Sequence, residues 1–189
     1  NGLPYSVRKQ GAGLANLLSS IHTDAYITTF DASGNSMDKT KLELGDDPKK
    51  TGVYDMAFSV ENFGDKKLSY ELGAYVLTEG VSETKTNAGE TTVTEEAYAL
   101  EGAKFEILTV NGQTVKSKKL TVEPGASAKV EGRITLTEEN KKYLNDSFEN
   151  GMYVEGYITL TAKSGTDISL NVPYLAFYGD WNVAPLFDL

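Results

Sequence analysis

The sequence of 189 residues contains no cysteine, one histidine and one tryptophan. Without cysteine the chain can form neither a disulfide framework nor a thiolate metal site. A Ser-His-Asp triad or a histidine zinc site would have to use His22, and no Gly-x-Ser-x-Gly nucleophile motif accompanies it. We therefore interpret His22 as a linker residue and assign no catalytic residue and no zinc ligand to this chain.

Basic residues are also few: 18 Lys and Arg stand against 27 Asp and Glu, a net charge of −9. This balance repels nucleic-acid phosphates and anionic lipid heads, so it argues against both as partners. No apolar run approaches the roughly 20 residues that cross a bilayer, which argues against membrane insertion. The sequence opens on Asn1-Gly2-Leu3-Pro4 without a basic and apolar leader, so we expect any export signal to lie outside it.

The abundant residues are those of strands and turns, with 11 tyrosines, 7 phenylalanines and 18 glycines. Between Gly151 and Ala162 apolar or small side chains occupy every second position. This alternation predicts a strand with one face in a core and Tyr153, Glu155 and Tyr157 facing water. A turn at Gly165 leads to a second alternating strand, so the two form a hairpin. Gly132 and Gly156 fall on inward faces, where we expect a side chain of the opposite sheet to approach closely.

Further alternating segments complete the prediction of the fold. The segments 54–60 and 68–76 read as consecutive antiparallel strands, Asn111-Gly112 predicts a second hairpin, and 128–136 is another strand. The polar stretch from Glu79 to Glu96 reads as an exposed loop or mobile hairpin. Helical spacing of Leu14, Leu17, Leu18 and Ile21 predicts a short helix ending near Ser20, and Thr137–Leu144 predicts another. We therefore expect an all-β antiparallel sandwich of the immunoglobulin or fibronectin type III class, with seven to eight strands and a short N-terminal helix.

Two segments have weak ligand-binding patterns. Asp31, Ser33 and Asn35 offer oxygens at alternate positions, as a calcium loop does, but Leu42 stands where the bidentate glutamate is expected. An ordinary turn is the favoured interpretation, with calcium as the alternative. Gly11-x-Gly13 lacks the preceding strand and the third glycine of a dinucleotide loop. We therefore predict no cofactor.

Two motifs resemble a known family. The first, Arg8-x-Gln10-Gly11-Ala12-Gly13, resembles the end of the catalytic domain of large subtilisin-like serine proteases. The second runs from Phe148 to Tyr157 and from Val172 to Trp181, and it resembles the fibronectin type III-like domain that follows that catalytic domain. Cell-envelope proteases of Gram-positive bacteria, the lactocepins and the streptococcal complement-cleaving peptidases, carry both in this order. Within the second motif, the residues that match the family are Gly151, Glu155, Gly156, Pro173 and Gly179.

The resemblance implies that residues 1–22 are the tail of a subtilisin-like catalytic domain and that residues 23–189 are a fibronectin type III-like sandwich. The catalytic triad of such a protease would lie upstream of Arg8. The implied partner is the catalytic domain of the same polypeptide, with further sandwich domains possible, and the implied location is extracellular or in the cell wall. The alternative is a free-standing surface adhesion or ligand-binding sandwich that uses the Glu79–Glu96 segment as a binding loop.

The loop Gly179-Asp180-Trp181 has two interpretations. Trp181 either caps one end of the sandwich, or it forms a docking surface for a neighbouring domain together with Tyr178 and Asp180. A lone tryptophan with an apolar rim is typical of an interface anchor.

Overall fold

The computed structural model describes residues 2–31, 33–37, 39–85, 91–163 and 167–183. In these residues the chain forms three short helices and twelve strands. The helices are α1 (Val7–Gln10), α2 (Leu17–His22) and α3 (Glu138–Ser147). The strands are β1 (Ala25–Phe30), β2 (Ser36–Met37), β3 (Leu42–Asp46), β4 (Val53–Asn62), β5 (Leu68–Lys85), β6 (Thr91–Ala99), β7 (Lys104–Val110), β8 (Gln113–Thr114), β9 (Lys119–Val122), β10 (Ser127–Thr135), β11 (Met152–Ala162) and β12 (Leu170–Tyr178).

The strands form two sheets. The first sheet has the order β2-β1-β4-β10-β7-β8, and the second has the order β3-β12-β11-β5-β6 with β9 also paired to β5. Alternating side chains from both sheets meet in one core, in which Phe58, Val130, Ile158 and Tyr174 are fully buried. The expected all-β sandwich is thus confirmed. The expected number of strands was too low, because short edge strands escape the alternation pattern, and β3 pairs with β12 in parallel.

The expected pairing of 54–60 with 68–76 was wrong, because β4 belongs to the first sheet and β5 to the second. Asn62 accounts for the crossing between sheets. Its side-chain amide donates to the backbone carbonyls of Lys66, Val122 and Glu123 at 2.8–3.1 Å. These bonds turn the chain away from β4. Period-2 alternation identifies a strand but not its partner.

The hairpin at Asn111-Gly112 is confirmed, and both residues have positive φ angles, 50° and 76°. This is the conformation that two-residue hairpin turns require. The returning strand is shorter than expected. β8 pairs with β7 only at Thr109 and Val110, after which the chain crosses to form β9 on β5.

The Glu79–Glu96 segment is a hairpin of two strands over its described part, so the alternative of an exposed loop was wrong. β5 continues to Lys85 and pairs with β6 from Leu77↔Ala99 to Lys85↔Thr91. Backbone ladder bonds stabilise this ribbon although it has few side chains to bury. Its tip, residues 86–90, lies outside the described residues, as does the turn predicted at Gly165.

Helix α3 confirms the prediction made from its threonine cap. The Thr137 hydroxyl accepts from the Asn140 N–H at 3.1 Å, and the Asn140 side chain accepts from the Thr137 N–H at 3.0 Å. Both bonds satisfy donors that a helix N-terminus leaves open. The helix buries Leu144 against the core and connects β10 to β11.

Gly156 is the point of closest approach in the second sheet. A Cβ at this position would lie 1.9 Å from the Tyr75 carbonyl oxygen and 3.0 Å from the Tyr174 hydroxyl. That hydroxyl donates to the same carbonyl at 2.9 Å. Both neighbours belong to adjacent strands of the same sheet, so the expectation of a side chain from the opposite sheet was wrong. Gly132 is likewise closest to atoms of β7, its neighbour within the first sheet.

Candidate functional site

The outer face of β11 carries a buried carboxylate. Glu155 was expected to face water, yet it is 0% exposed. Residues 5–11, which we call the N-terminal segment, lie across this face and cover it. The sequence pattern failed here because the covering segment lies about 147 positions away in the chain.

The contacts of Glu155 come from three groups of the N-terminal segment. The Ser6 hydroxyl donates at 2.7 Å, the Arg8 backbone N–H donates at 3.1 Å, and the Arg8 guanidinium donates through Nε and Nη2 at 3.2 Å each. Charge-assisted bonds of this kind are stronger than neutral ones. The carboxylate is therefore paired and hydrogen-bonded, as a buried charge must be.

Arg8 joins Glu155 to the base of the β5–β6 hairpin. Its guanidinium also donates a hydrogen bond to the side-chain carboxylate of Glu79. The Lys9 ammonium lies 3.2 Å from the other oxygen of that carboxylate. Burial alone would lower the pKa of Arg8, but the Glu155 and Glu79 carboxylates outweigh it and the pKa is raised. The Tyr143 hydroxyl of α3 donates to the Glu79 carbonyl at 3.0 Å. We call Arg8, Glu79 and Glu155 the charge cluster.

Tyr157 extends this contact along β11. The Gln10 amide donates to its hydroxyl at 3.0 Å, and the hydroxyl itself donates to the Gly11 carbonyl at 2.9 Å. Pro173 lies on the neighbouring strand β12, in a groove next to Gly11. Three of the motif residues that suggested a protease tail, Arg8, Gln10 and Gly11, thus all contact the sandwich, whereas Gly13 lies in the exposed connection to α2.

An aromatic cluster lies beside the charge cluster. The Arg8 guanidinium carbon lies 4.7 Å above the centroid of the Tyr153 ring. The rings of Tyr153, Phe177 and Trp181 lie 5.2–5.5 Å apart in tilted or edge-on contacts. Trp181 is 57% exposed, and its backbone N–H donates to Asp46 at 3.1 Å. Trp181 therefore packs on the end of the sandwich and still presents a large part of its surface to solvent.

The other residues predicted with Trp181 differ in position. Tyr178 is buried in the core, so it presents no docking surface, whereas Asp180 is half-buried beside Trp181. Gly151 and Gly179 lie against each other where β11 begins and β12 ends. A Cβ on Gly179 would lie 3.3 Å from the Gly151 Cα. These two glycines have a packing role in this structure.

Helix α2 exposes its apolar stripe. Leu17, Leu18 and Ile21 are 75%, 68% and 67% exposed, and Leu14 just before the helix is fully exposed. The Asn16 side chain caps the helix by accepting from the Ser19 N–H at 3.0 Å. A six-residue helix with an uncovered apolar face is not stable alone in water. Among the residues that the structure describes, this stripe is therefore the clearest candidate contact surface.

The predicted turn at Asp31 is held by its own side chain. The Asp31 carboxylate accepts from the backbone N–H groups of Ser33 and Asn35 and from the Asn35 amide, at 2.8–3.0 Å. These bonds lower the pKa of Asp31. Within the described ranges no group of three or more His, Cys, Asp or Glu side chains is placed to hold a metal ion.

His22, the only histidine of the sequence, is the remaining candidate from the sequence. His22 ends α2 with its side chain exposed. No described helix is both long enough and apolar enough to cross a membrane. Two exposed surfaces make up the candidate site, namely the α2 stripe and the rim of the aromatic cluster.

Sequence reasoning missed Glu79, Ser6 and Tyr157 as members of this site. Glu79 was assigned to an acidic polar stretch, and nothing local distinguishes it from the other glutamates there. One signal was available: Arg8 and Glu155 carry opposite charges in two motifs that were recognised together. Since a glutamate on an alternating strand needs a partner once it is covered, that pair predicts the contact.

Comparisons with known proteins agree with this architecture. A family model described as "Fn3-like domain" matches residues 42–175. The chain is 26% identical over all 189 residues to the PI-type proteinase of Lactococcus lactis subsp. cremoris, and it covers 9% of that protein. The same identity and coverage hold for the PII-type proteinase of Lacticaseibacillus paracasei. The chain thus spans less than a tenth of the length of these relatives.

Among solved structures, a PapD-like domain of human CEP192 aligns over 89% of this chain and 94% of its own. The TM-score is 0.45 and the identity is 10%. A FixG-related protein from Vibrio parahaemolyticus aligns with a TM-score of 0.44 and 12% identity, over 82% and 95% of the two chains. Similarities at this level carry no functional argument.

Proposed function

Since the chain belongs to the family of Fn3-like domains, we propose that it is a non-catalytic accessory module of a secreted or wall-attached subtilisin-like serine protease. In this proposal the module packs on the catalytic domain and positions it for protein substrates. Residues 1–22 are the tail of that catalytic domain, and residues 23–189 are the sandwich. The similarity to proteinases many times longer than this chain supports the proposal.

One observation carries the proposal: the sandwich holds the N-terminal segment firmly while α2 presents an uncovered apolar stripe. Ser6, Arg8 and Gln10 are bonded to β11, so the segment has a fixed path over the outer face of the second sheet. Burying a leucine or isoleucine side chain contributes about 1.5–3 kcal/mol. The stripe Leu14, Leu17, Leu18 and Ile21 therefore offers several kcal/mol to a domain that covers it.

The exposed rim of the aromatic cluster provides a second contact in this proposal. Trp181 and Asp180 lie at the same end of the sandwich as Arg8, because the Arg8 guanidinium stacks on Tyr153 and Tyr153 contacts Trp181. A partly exposed tryptophan beside charged groups resembles an interface anchor. We propose that the catalytic domain, or a following sandwich domain, contacts this rim.

The test uses the full-length polypeptide with two matched aspartate substitutions on α2. Leu17→Asp places a charge in the stripe, whereas Ser20→Asp places the same charge on an exposed position outside it. We expect Leu17→Asp to lower the melting temperature of the catalytic domain and the kcat/KM for a protein substrate, with a smaller effect on a short peptide substrate. Ser20→Asp should leave both close to the parent values.

Equal behaviour of the two variants would contradict the proposal, because a free-standing adhesive or ligand-binding sandwich has no catalytic domain to support. Deletion of residues 23–189 gives a second readout. If the truncated protease keeps its stability and its cleavage of protein substrates, the module does not support the catalytic domain.

A further inference from the structure

The first sheet has an open edge along β7. On one side, residues 104–107 pair with β10, from Lys104 opposite Thr135 to Ile107 opposite Gly132. On the other side β8 pairs only with Thr109 and Val110. The Val115 N–H still donates to the Leu108 carbonyl at 3.2 Å, and then the chain crosses to the second sheet as β9. In the part of the chain that the structure describes, no strand therefore covers the edge of residues 104–107.

A groove of about 530 Å³ runs along this edge. One wall is formed by residues 105–109 of β7, and the other by residues 114–118. The buried Phe105 and Ile107 and the half-buried Val115 line it with apolar groups. The groove thus has the two features that strand addition uses: an open row of backbone groups and places for alternate side chains.

The rim of the groove is basic although the chain is acidic. Lys116 and Lys118 are exposed, and Lys104 begins the open edge. Ion pairs occupy many other lysines, namely Lys9, Lys39, Lys41, Lys67, Lys129, Lys141 and Lys142. Among the described residues, no carboxylate lies within ion-pair distance of Lys116 or Lys118. The Lys118 ammonium instead lies 6.0 Å from the centroid of the Phe105 ring.

The carboxylates around this edge do not neutralise the rim. Glu106 is exposed on β7. The hydrogen bond to Asp55 is the main cause that raises the pKa of Arg133, and the charge of Glu106 adds to it. Glu71 is opposite Lys119 in the β5–β9 register, on the far side of the crossing. The groove lining thus contains two lysines, Lys116 and Lys118, against one carboxylate, Glu106, so its net charge is positive.

We propose that the open edge of β7 binds an extended acidic peptide segment by strand addition. The segment adds to β7 as an outer strand, directs alternate apolar side chains toward Phe105, Ile107 and Val115, and places carboxylates near Lys116 and Lys118. The chemistry of the groove selects this partner through charge complementarity and backbone pairing. This proposal does not depend on the contact of α2 with a catalytic domain.

A second copy of this chain does not fit the same edge. Pairing β7 with β7 would bring the two sets of lysines together, and edge lysines are a common device against such self-pairing. The same charges attract an acidic strand. Lysines at this edge therefore discriminate between the two occupants.

The experiment titrates this protein with a fluorescein-labelled octapeptide of alternating Val and Glu at low ionic strength, measured by anisotropy. Three further peptides serve as controls: a Val-Lys octapeptide, a Val-Glu octapeptide with alternate backbone nitrogens methylated, and an unlabelled competitor. Amide shifts in NMR spectra then locate the bound peptide. Competition with inorganic phosphate tests whether any anion is sufficient.

We expect binding of the Val-Glu peptide with a Kd below about 1 mM, with the largest amide shifts at residues 104–108. The variant Lys116→Glu/Lys118→Glu should bind about tenfold or more weakly, because two attractive contacts become repulsive. Its matched control, Lys49→Glu/Lys66→Glu, reverses two exposed lysines away from the edge and should bind as the parent does.

Four results would overturn the proposal. They are the absence of binding by the parent protein, amide shifts at another surface, equal binding of the methylated peptide, and displacement of the Val-Glu peptide by inorganic phosphate at the concentration at which a free carboxylate displaces it. The last two would mean that the lysines attract anions without strand addition. Self-association of the parent protein through the same amides, seen by sedimentation, would instead assign the edge to a second copy.

Discussion

Arg8→Met tests whether the charge cluster holds the N-terminal segment on the sandwich. Methionine keeps an unbranched stem over the Tyr153 ring but removes the guanidinium. Glu155 then keeps only the Ser6 hydroxyl and the backbone N–H of residue 8 as donors. The segment must either leave the carboxylate short of partners or undock and let water reach it.

The expected loss follows from the burial of the two partners. Removing one member of a buried ion pair costs about 3–5 kcal/mol. Here the side chain of Glu155 is 0% exposed and that of Arg8 is 27% exposed, so the contact is only partly screened by water. Since two donors to Glu155 remain, we expect a loss of about 2–3 kcal/mol in the free energy of unfolding. For a chain of this size that lowers Tm by about 5–10 °C.

The matched control is Arg133→Met, which breaks an arginine–carboxylate ion pair on the surface. Arg133 donates to Asp55 through Nε and Nη2, at 2.5 and 2.9 Å, but both side chains are largely exposed. Exposed pairs of this kind contribute about 0–1 kcal/mol. The two variants remove the same charge from the chain, so a difference between them reports the more buried surroundings of Arg8, including its contact with Glu79.

The assay is urea unfolding followed by far-UV circular dichroism, with hydrogen exchange at the amide of residue 8 as a local readout. Glu155→Gln in the Arg8→Met background should recover much of the loss, because it removes the unpaired charge. If Arg8→Met and Arg133→Met cost the same, or if the double variant is less stable than Arg8→Met, the burial of Glu155 does not set the cost of losing its partner.

Three further changes give outcomes that the structure specifies. Gly156→Ala should destabilise the fold by about 3 kcal/mol in urea unfolding, because the new Cβ meets the Tyr75 carbonyl at 1.9 Å. Thr137→Ala removes the N-cap of α3 and should cost about 1 kcal/mol, whereas Thr137→Ser should cost little. Burial raises the pKa of three tyrosines by the largest margins, so unfolding should begin above pH about 10, where only the unfolded chain ionises them, and their absorbance at 295 nm should change only with unfolding. They are Tyr54, Tyr70 and Tyr174.

Local signals in the sequence predicted the elements that local physics decides. Asn111 and Gly112 tolerate the positive φ angles of a two-residue turn, so the hairpin follows from two residues. Thr137 and Asn140 cap α3 within four positions of each other. The alternation along β11 placed Val154 and Ile158 in the core, where both are fully buried.

Contacts between distant segments were not predictable in this way. Alternation could not tell that β4 and β5 belong to different sheets, because either pairing buries the same side chains. Nor could it tell that the polar face of β11 is covered, since the residue that covers Glu155 is Arg8. The candidate site depends on such contacts. Its motif residues were recognised by resemblance, while the role of Glu79 emerged only from the folded chain.

The close approach at Gly156 also limits how β11 can align with its neighbours. A shift of β11 by two residues would keep the same face in the core, so burial alone barely opposes it. Such a shift would bring Val154 or Ile158 to the place where the Tyr174 hydroxyl meets the Tyr75 carbonyl, and no β-branched side chain fits there. The missing Cβ of Gly156 therefore marks the one alignment that lets all three strands pair. Gly156 thereby helps to fix the register of β11, which the alternation of its side chains leaves open by two residues.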